Sequence, residues 1–263
     1  MASSSEARLK QAYEADEIAN NARRQARAIA FASFAAIGYY GLALGRGDPP
    51  EDTVVPKAGA VLIMAPLALN LSAMSVRDGS KKYARRIAAG LLLCACGDAC
   101  LELENSESFE DIKGLLFLGG LGSFLVGHVL YIAAFAVNRF KIRLLVSTPL
   151  LLYVLGIFLV LYDSLPSGLI APVGLYASTI GWMAVMACSR QPAGVAHSTW
   201  SKCTAVAGAL LFAASDTVLA INKFVKPIPQ AKGVVMATYF GAQALIAASV
   251  RGAGGRAKAK KSQ

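Results

Sequence analysis

Charge is scarce in this sequence and histidine is nearly absent. Only 16% of the 263 residues are Asp, Glu, Lys or Arg, against roughly 25% in a soluble globular domain. With 56% of the residues hydrophobic, the deficit excludes an ordinary water-soluble core, because too little polar side chain remains to cover the apolar surface. The two histidines, His128 and His197, are too few for the histidine-rich zinc site of a ceramidase-type lipid amidase. The five cysteines are odd in number and lie mostly within apolar runs, which excludes a disulfide framework. Cys94, Cys96 and Cys100 face partly different ways on one helix, so they do not form a tetrahedral metal set. No phosphate-binding loop, dinucleotide fingerprint or nucleophile elbow is present. Neither a metal nor a cofactor is expected.

Long apolar runs are abundant. A bilayer-spanning helix takes about 20 predominantly apolar residues. Eight stretches come close or qualify: 29–45, 58–76, 87–103, 114–137, 142–162, 168–189, 203–221 and 232–250. They predict an all-α polytopic bundle of eight transmembrane helices. Residues 1–28 read as a polar, basic N-terminal segment, 29–250 as the membrane domain, and 251–263 as a basic disordered tail. The first span follows Arg23, Arg24 and Arg27 without a small-residue cleavage site, as an uncleaved anchor does.

The basic residues test this count. Eight spans put both termini on one side, with the loops 77–86, 138–143 and 190–202, and that side holds 20 of the 26 Lys and Arg. The positive-inside rule then places both termini in the cytosol. The net charge of +10, concentrated in termini and short loops, suits anionic lipid rather than nucleic acid. The ending Lys260-Lys261-Ser262-Gln263 has the form of a cytosolic dilysine retrieval signal, which points to the endoplasmic-reticulum membrane.

Polar groups inside the spans are the functional candidates, since a charge at a helix centre costs about 2.5–3.5 kcal/mol on insertion scales. Asp98 and Asp216 are the clear cases. Each lies roughly five residues before the outer end of its span, so at about 1.5 Å per residue the two share a depth and converge if their helices touch. The stretches around them, Gly97-Asp98-Ala99-Cys100-Leu101 and Ser215-Asp216-Thr217-Val218-Leu219, hint at a repeat. His128 and Tyr131 share one helix face by i, i+3 spacing, and Tyr239 and Gln243 share another by i, i+4. Each also has a plain packing role open to it, as buried polar glue between helices. Lys57 opens the second span, where it serves either as a snorkelling interfacial lysine or as the cation for a lipid phosphate. Asn70 and Asn222 are weaker candidates of the same kind. Gly119, Ser123 and Gly127 make a small-residue stripe for close helix approach, and Pro66, Pro149 and Pro172 predict kinks.

The run Cys96-Gly97-Asp98-Ala99-Cys100-Leu101, then Phe117-Leu118-Gly119-Gly120 and Gly127-His128-Val129-Leu130-Tyr131-Ile132-Ala133-Ala134-Phe135, resembles the lysoplasmalogenase (YhhN-like) membrane proteins. Ser215-Asp216-Thr217-Val218-Leu219-Ala220 with Phe224 resembles that family's second S-D element, and Thr238-Tyr239-Phe240-Gly241-Ala242-Gln243 its closing Y-x-x-x-Q element. Lys57 matches a lysine the family places before its second helix, although the proline that follows there is Ala58 here. The resemblance covers about 55–250 and leaves the polar N-terminal segment outside.

It implies hydrolysis of the vinyl ether bond of a lysoplasmalogen, a lysophospholipid reached from the membrane, to a fatty aldehyde and a glycerophospho-alcohol. Vinyl ether hydrolysis begins with protonation of the β-carbon and passes through an oxocarbenium ion. It therefore needs a proton donor beside a negative group, and two carboxyls in one apolar pocket supply both. Asp98 and Asp216 are the expected pair, with His128, Tyr131, Tyr239 and Gln243 holding water or the glycerol hydroxyl and Lys57 meeting the phosphate. The rival of a different class is a multi-pass transporter using intramembrane Asp residues.

Overall fold

The computed structural model describes residues 2–73, 78–137, 141–190 and 199–250. His197 and the tail 251–263, with Lys260 and Lys261, lie outside the described residues. Within them the chain forms eight α-helices: α1 Ala2–Arg46, α2 Pro50–Ala73, α3 Asp78–Leu103, α4 Lys113–Phe135, α5 Leu144–Tyr162, α6 Ser167–Ser189, α7 Thr199–Ala220 and α8 Ala231–Ala248. Each expected span falls on one helix. The polar N-terminal segment is helical and continuous with the first span, so α1 is 45 residues long. Pro66, Pro149 and Pro172 all sit inside helices that run on through them.

Seven of the eight helices are long and apolar enough to cross a membrane, and the protein is a multi-pass membrane protein. The exception is α3. Its 26 residues reach about 39 Å at 1.5 Å per residue, yet they carry Lys81, Lys82, Arg85 and Arg86 near one end and Asp98 and Glu102 near the other. Packing explains why this helix tolerates its two carboxylates: α3 sits between α2 and α4 and also touches α8. Tyr83, Ile87, Leu91, Cys94, Asp98 and Glu102 form one buried face, recurring every three to four residues. At the other extreme, α5 leaves Leu145, Leu152, Leu155 and Leu159 exposed, as a helix facing lipid does.

Glycines set the spacing around α3. A Cβ at Gly97 would lie 2.6 Å from the Phe124 ring, and one at Gly120 would lie 2.7 Å from Leu101. Gly127 approaches the Gly90 carbonyl at 3.1 Å by the same measure, and Ser123 Oγ donates to the Leu93 carbonyl across 2.8 Å. The expected small-residue stripe is therefore used, with Gly120 rather than Gly119 at the tightest point. Between α1 and α2 the chain turns on Gly47 at φ 75. There the Gly47 and Asp48 amides donate to the carbonyls of Leu44 and Ala43 and close the end of α1.

The two ends of the bundle differ. At one end, buried Arg190 donates to Tyr83 Oη at 2.9 Å and stacks over that ring at 4.5 Å, while Tyr83 and Ser249 share a 2.6 Å hydrogen bond. This clamp joins α3 and α8 to the end of α6. At the other end, where α3 and α7 finish and α2, α4 and α8 begin, the bundle opens into a polar cavity.

Candidate functional site

A cavity of about 330 Å³ opens among α2, α3, α4, α6, α7 and α8. Asp98 and Asp216 both line it, with Lys57, Glu102, Tyr176 and Tyr239. Their convergence does not require α3 and α7 to pack as a pair. α7 leans on α6 and α8, α3 on α2 and α4, and the carboxylates face the cavity between them.

Asp98 is held by two neighbours. Tyr239 Oη donates to its Oδ2 across 2.6 Å, and the Lys57 ammonium lies 3.9 Å from its Oδ1. Behind Tyr239 the hydrogen bonds all run one way: Tyr131 Oη donates to Gln243 Oε1 at 2.8 Å, and Gln243 Nε2 donates to Tyr239 Oη at 3.2 Å. A one-directional chain polarises each successive donor toward Asp98. Tyr131, Tyr239 and Gln243 thus belong to one network, as their spacing on α4 and α8 allowed.

One turn beyond Asp98, Glu102 is 1% exposed and was not anticipated. It accepts from Thr53 Oγ1 at 2.7 Å, Lys57 Nζ at 2.9 Å and Tyr40 Oη at 3.2 Å, and Lys232 Nζ lies at 3.6 Å. The i, i+4 relation to Asp98 was the available signal, but a residue so near the end of an apolar run reads as interfacial. Lys57, the cation expected for a lipid phosphate, has its ammonium 2.9 Å from Glu102 and 3.9 Å from Asp98. Partners of this number and kind offset the cost of burying a charged carboxylate.

Asp216 has a different setting. Tyr176 Oη donates to its Oδ2 at 2.5 Å, and among the described residues no lysine or arginine forms an ion pair with it. Tyr176 lies on α6 with nothing in its local sequence to mark it. Ser215, the neighbour of Asp216, is buried and donates to the Val235 carbonyl at 3.0 Å, which fixes the register of α7 on α8.

An aromatic layer floors the cavity. Phe124, Phe212 and Tyr239 meet edge to face with centroids 5.4–6.3 Å apart. His128 lies in this layer and does not line the cavity. It is 0% exposed, stands edge-on to Phe212 at 4.5 Å, and neighbours Tyr176 at 5.5 Å and Tyr131 at 6.2 Å. Both its ring nitrogens lack a hydrogen-bond partner among the described residues.

The rim is built from the segment joining α7 to α8. α7 ends in a π-helical turn, Ile221–Val225, a form that recurs at functional sites. Asn222, Lys223 and Phe224 from that turn line the cavity. Asn222 Oδ1 accepts from the Ile228 amide at 2.9 Å, which ties the loop back on itself. Lys223 pairs with Glu104 at 2.6 Å and lies 4.8 Å from the Phe117 ring centroid. Gln230, just before α8, takes a left-handed φ of 57, a conformation that costs a non-glycine residue about 1–2 kcal/mol. Lys223 and Lys232 are 35% and 57% exposed at the side chain and place two cations at the mouth, beside Glu104 and Glu102 respectively. Asn70 is not among the lining residues. Among the described residues no three His, Cys, Asp or Glu side chains gather as a metal-binding group. Cys94 is buried and Cys96 exposed on opposite sides of α3.

Residues 53–250 match the YhhN family. The chain is 35% identical over 168 residues to the lysoplasmalogenase TMEM86A of Bos taurus and 34% identical to that of Homo sapiens, covering 63% of this chain and 65% of each relative. It is 32% identical over 192 residues to the lysoplasmalogenase TMEM86B of Sus scrofa, covering 73% of this chain and 75% of that one. The chain thus spans just under two thirds of the length of the TMEM86A relatives. No solved structure matches it.

Proposed function

This chain belongs to the YhhN family, and on that premise we propose that it hydrolyses the vinyl ether bond of lysoplasmalogens inside the membrane, with Asp98 and Asp216 as its acid–base pair. The observation that carries this reading is the pair of carboxyls in one cavity with unlike partners: Asp98 beside the Lys57 cation, Asp216 hydrogen-bonded to the Tyr176 phenol and without an ion pair among the described residues. A carboxylate beside a cation is held and oriented for electrostatic work, so Asp98 takes the stabilising role and Asp216 that of proton donor.

The steps follow from that difference. The Asp216 carboxyl gives its proton to the β-carbon, and the π electrons of the double bond form the new C–H bond. The oxocarbenium ion left behind is stabilised by the Asp98 carboxylate. Water adds to the α-carbon and passes a proton to Asp98. The hemiacetal then collapses: Asp98 returns its proton to the departing glycerol oxygen, and the hemiacetal hydroxyl gives its own to Asp216. Aldehyde and alcohol leave with both carboxyls restored. Tyr239 and Gln243 hold Asp98 in place, and the lipid phosphate meets the cations of the cavity, Lys57 within it and the more exposed Lys223 and Lys232 at its mouth.

The orientation we favour has both termini in the cytosol, from the bias of basic residues, and so puts the cavity mouth on the lumenal side. The test is aldehyde release by purified protein from a vinyl-ether lysolipid, beside an ester lysolipid. Release from the vinyl ether alone, lost in Asp98→Asn and in Asp216→Asn, is expected. Normal turnover in both folded variants would overturn the mechanism.

A further inference from the structure

A second space lies outside the cavity and is larger. It is a groove of about 970 Å³ between α1 and α8, floored by Met64 and Leu67 of α2. α1 packs on α2, and α2 on α8, but α1 and α8 barely touch. Two helix faces therefore look at each other across a gap. On α1 the facing positions recur as 30, 33, 34, 37, 41, 44 and 45, and on α8 as 233, 236, 237, 240, 241 and 244, each the three-to-four spacing of one helical stripe. Added Cβ atoms at Gly41, Gly45 and Gly241 would meet nothing within 4 Å, so the glycines widen the gap rather than close it.

We propose that this groove seats the single hydrocarbon chain of the lysolipid substrate while its vinyl ether sits at Asp98; this rests on the hydrolase reading above. Three observations choose that occupant. The groove adjoins the cavity, with Tyr40, Lys232 and Met236 lining both. Met236 is unbranched and adaptable, which suits a partition a chain must pass. The groove is polar at one end only: Asp48 and Lys232 stand at the cavity end, and the walls beyond are apolar except for Ser33. A lysolipid has the same polarity, with its charged headgroup beside Lys223 and Lys232 and its tail running away along α8. The length also suffices. From Lys232 to Leu245 the groove follows α8 for about 20 Å at 1.5 Å per residue, and one lipid tail reaches about 15 Å, half the hydrocarbon core. The crevice on the other side of Asp216, between α5 and α7, holds only about 70 Å³ and is too small for a chain.

The experiment has two arms. In the first, a lysophosphocholine with a diazirine at the end of a hexadecyl chain is photolysed with the full-length protein in nanodiscs, and the labelled peptides are mapped. Label in Arg27–Arg46 and Ala231–Ala248, removed in Gly241→Trp, is expected. Label in α5 or α7, or label displaced equally well by a bulk diacyl lipid, overturns the proposal. In the second arm, Gly241→Trp is assayed on hexadecenyl and octenyl lysolipids. kcat/KM is expected to fall by about tenfold or more for the long chain and to stay near wild type for the short one. Equal loss on both, or no loss on either, overturns the groove. If wild-type protein releases no aldehyde at all, the hydrolase reading fails while the labelling arm still decides the groove.

Discussion

The Tyr239 hydroxyl on α8 reaches Asp98 on α3 across 2.6 Å, and it does so as the last donor of a chain that starts at Tyr131 on α4. Three helices are joined at the carboxylate by hydrogen bonds alone. A hydrogen bond to a charged group is worth about 1.5–3 kcal/mol. Tyr239→Phe is therefore expected to lower aldehyde turnover about ten- to hundredfold while the protein stays folded. Gln243→Leu acts through Tyr239, so the double variant is expected to lose less than the two single losses combined. Additive losses would separate Gln243 from the network.

Lys57 and Glu102 form the second relationship to test. Removing one partner of a buried pair leaves an uncompensated charge and costs about 3–5 kcal/mol. Lys57→Met is expected to lower the thermal midpoint in detergent strongly, because Asp98 then loses its cation and Glu102 keeps only the more exposed Lys232 at 3.6 Å. Adding Glu102→Gln to it is expected to recover much of the loss. A double variant as unstable as the single one would show that Glu102 carries no charge beside Lys57.

Gly97 is expected to tolerate no side chain. A Cβ there would lie 2.6 Å from the Phe124 ring, and over-packing of this kind costs about 1–3 kcal/mol. Phe124 also lines the cavity and packs on Tyr239. Gly97→Ala should thus reduce both thermal stability and turnover, whereas Gly241→Ala, which faces open space, should leave stability unchanged.

His128 separates packing from chemistry. Its two unpartnered nitrogens in an aromatic layer represent a cost of about 1–3 kcal/mol each. His128→Phe is expected to raise the thermal midpoint and to lower turnover, the pattern of a group kept for function against stability. Unchanged turnover would reduce His128 to a packing residue.

The sequence by itself determined the number and order of the helices, because crossing hydrocarbon forces every backbone group into local hydrogen bonds and leaves a readable run of apolar residues for each span. It also marked Asp98, Asp216, Tyr131, Tyr239 and Gln243, since a polar group within such a run stands out against its neighbours. It did not mark Tyr176, whose hydroxyl is one of many on apolar helices until α6 brings it to Asp216. Nor did it distinguish Lys57 as a partner for carboxylates from Lys57 as a partner for phosphate, or set Glu102 and Lys232 apart from ordinary interfacial charges. Those choices belong to the tertiary structure. Periodicity tells which residues share a face of one helix, but an ion pair or a groove exists only between helices, where packing fixes distances that no single helix contains.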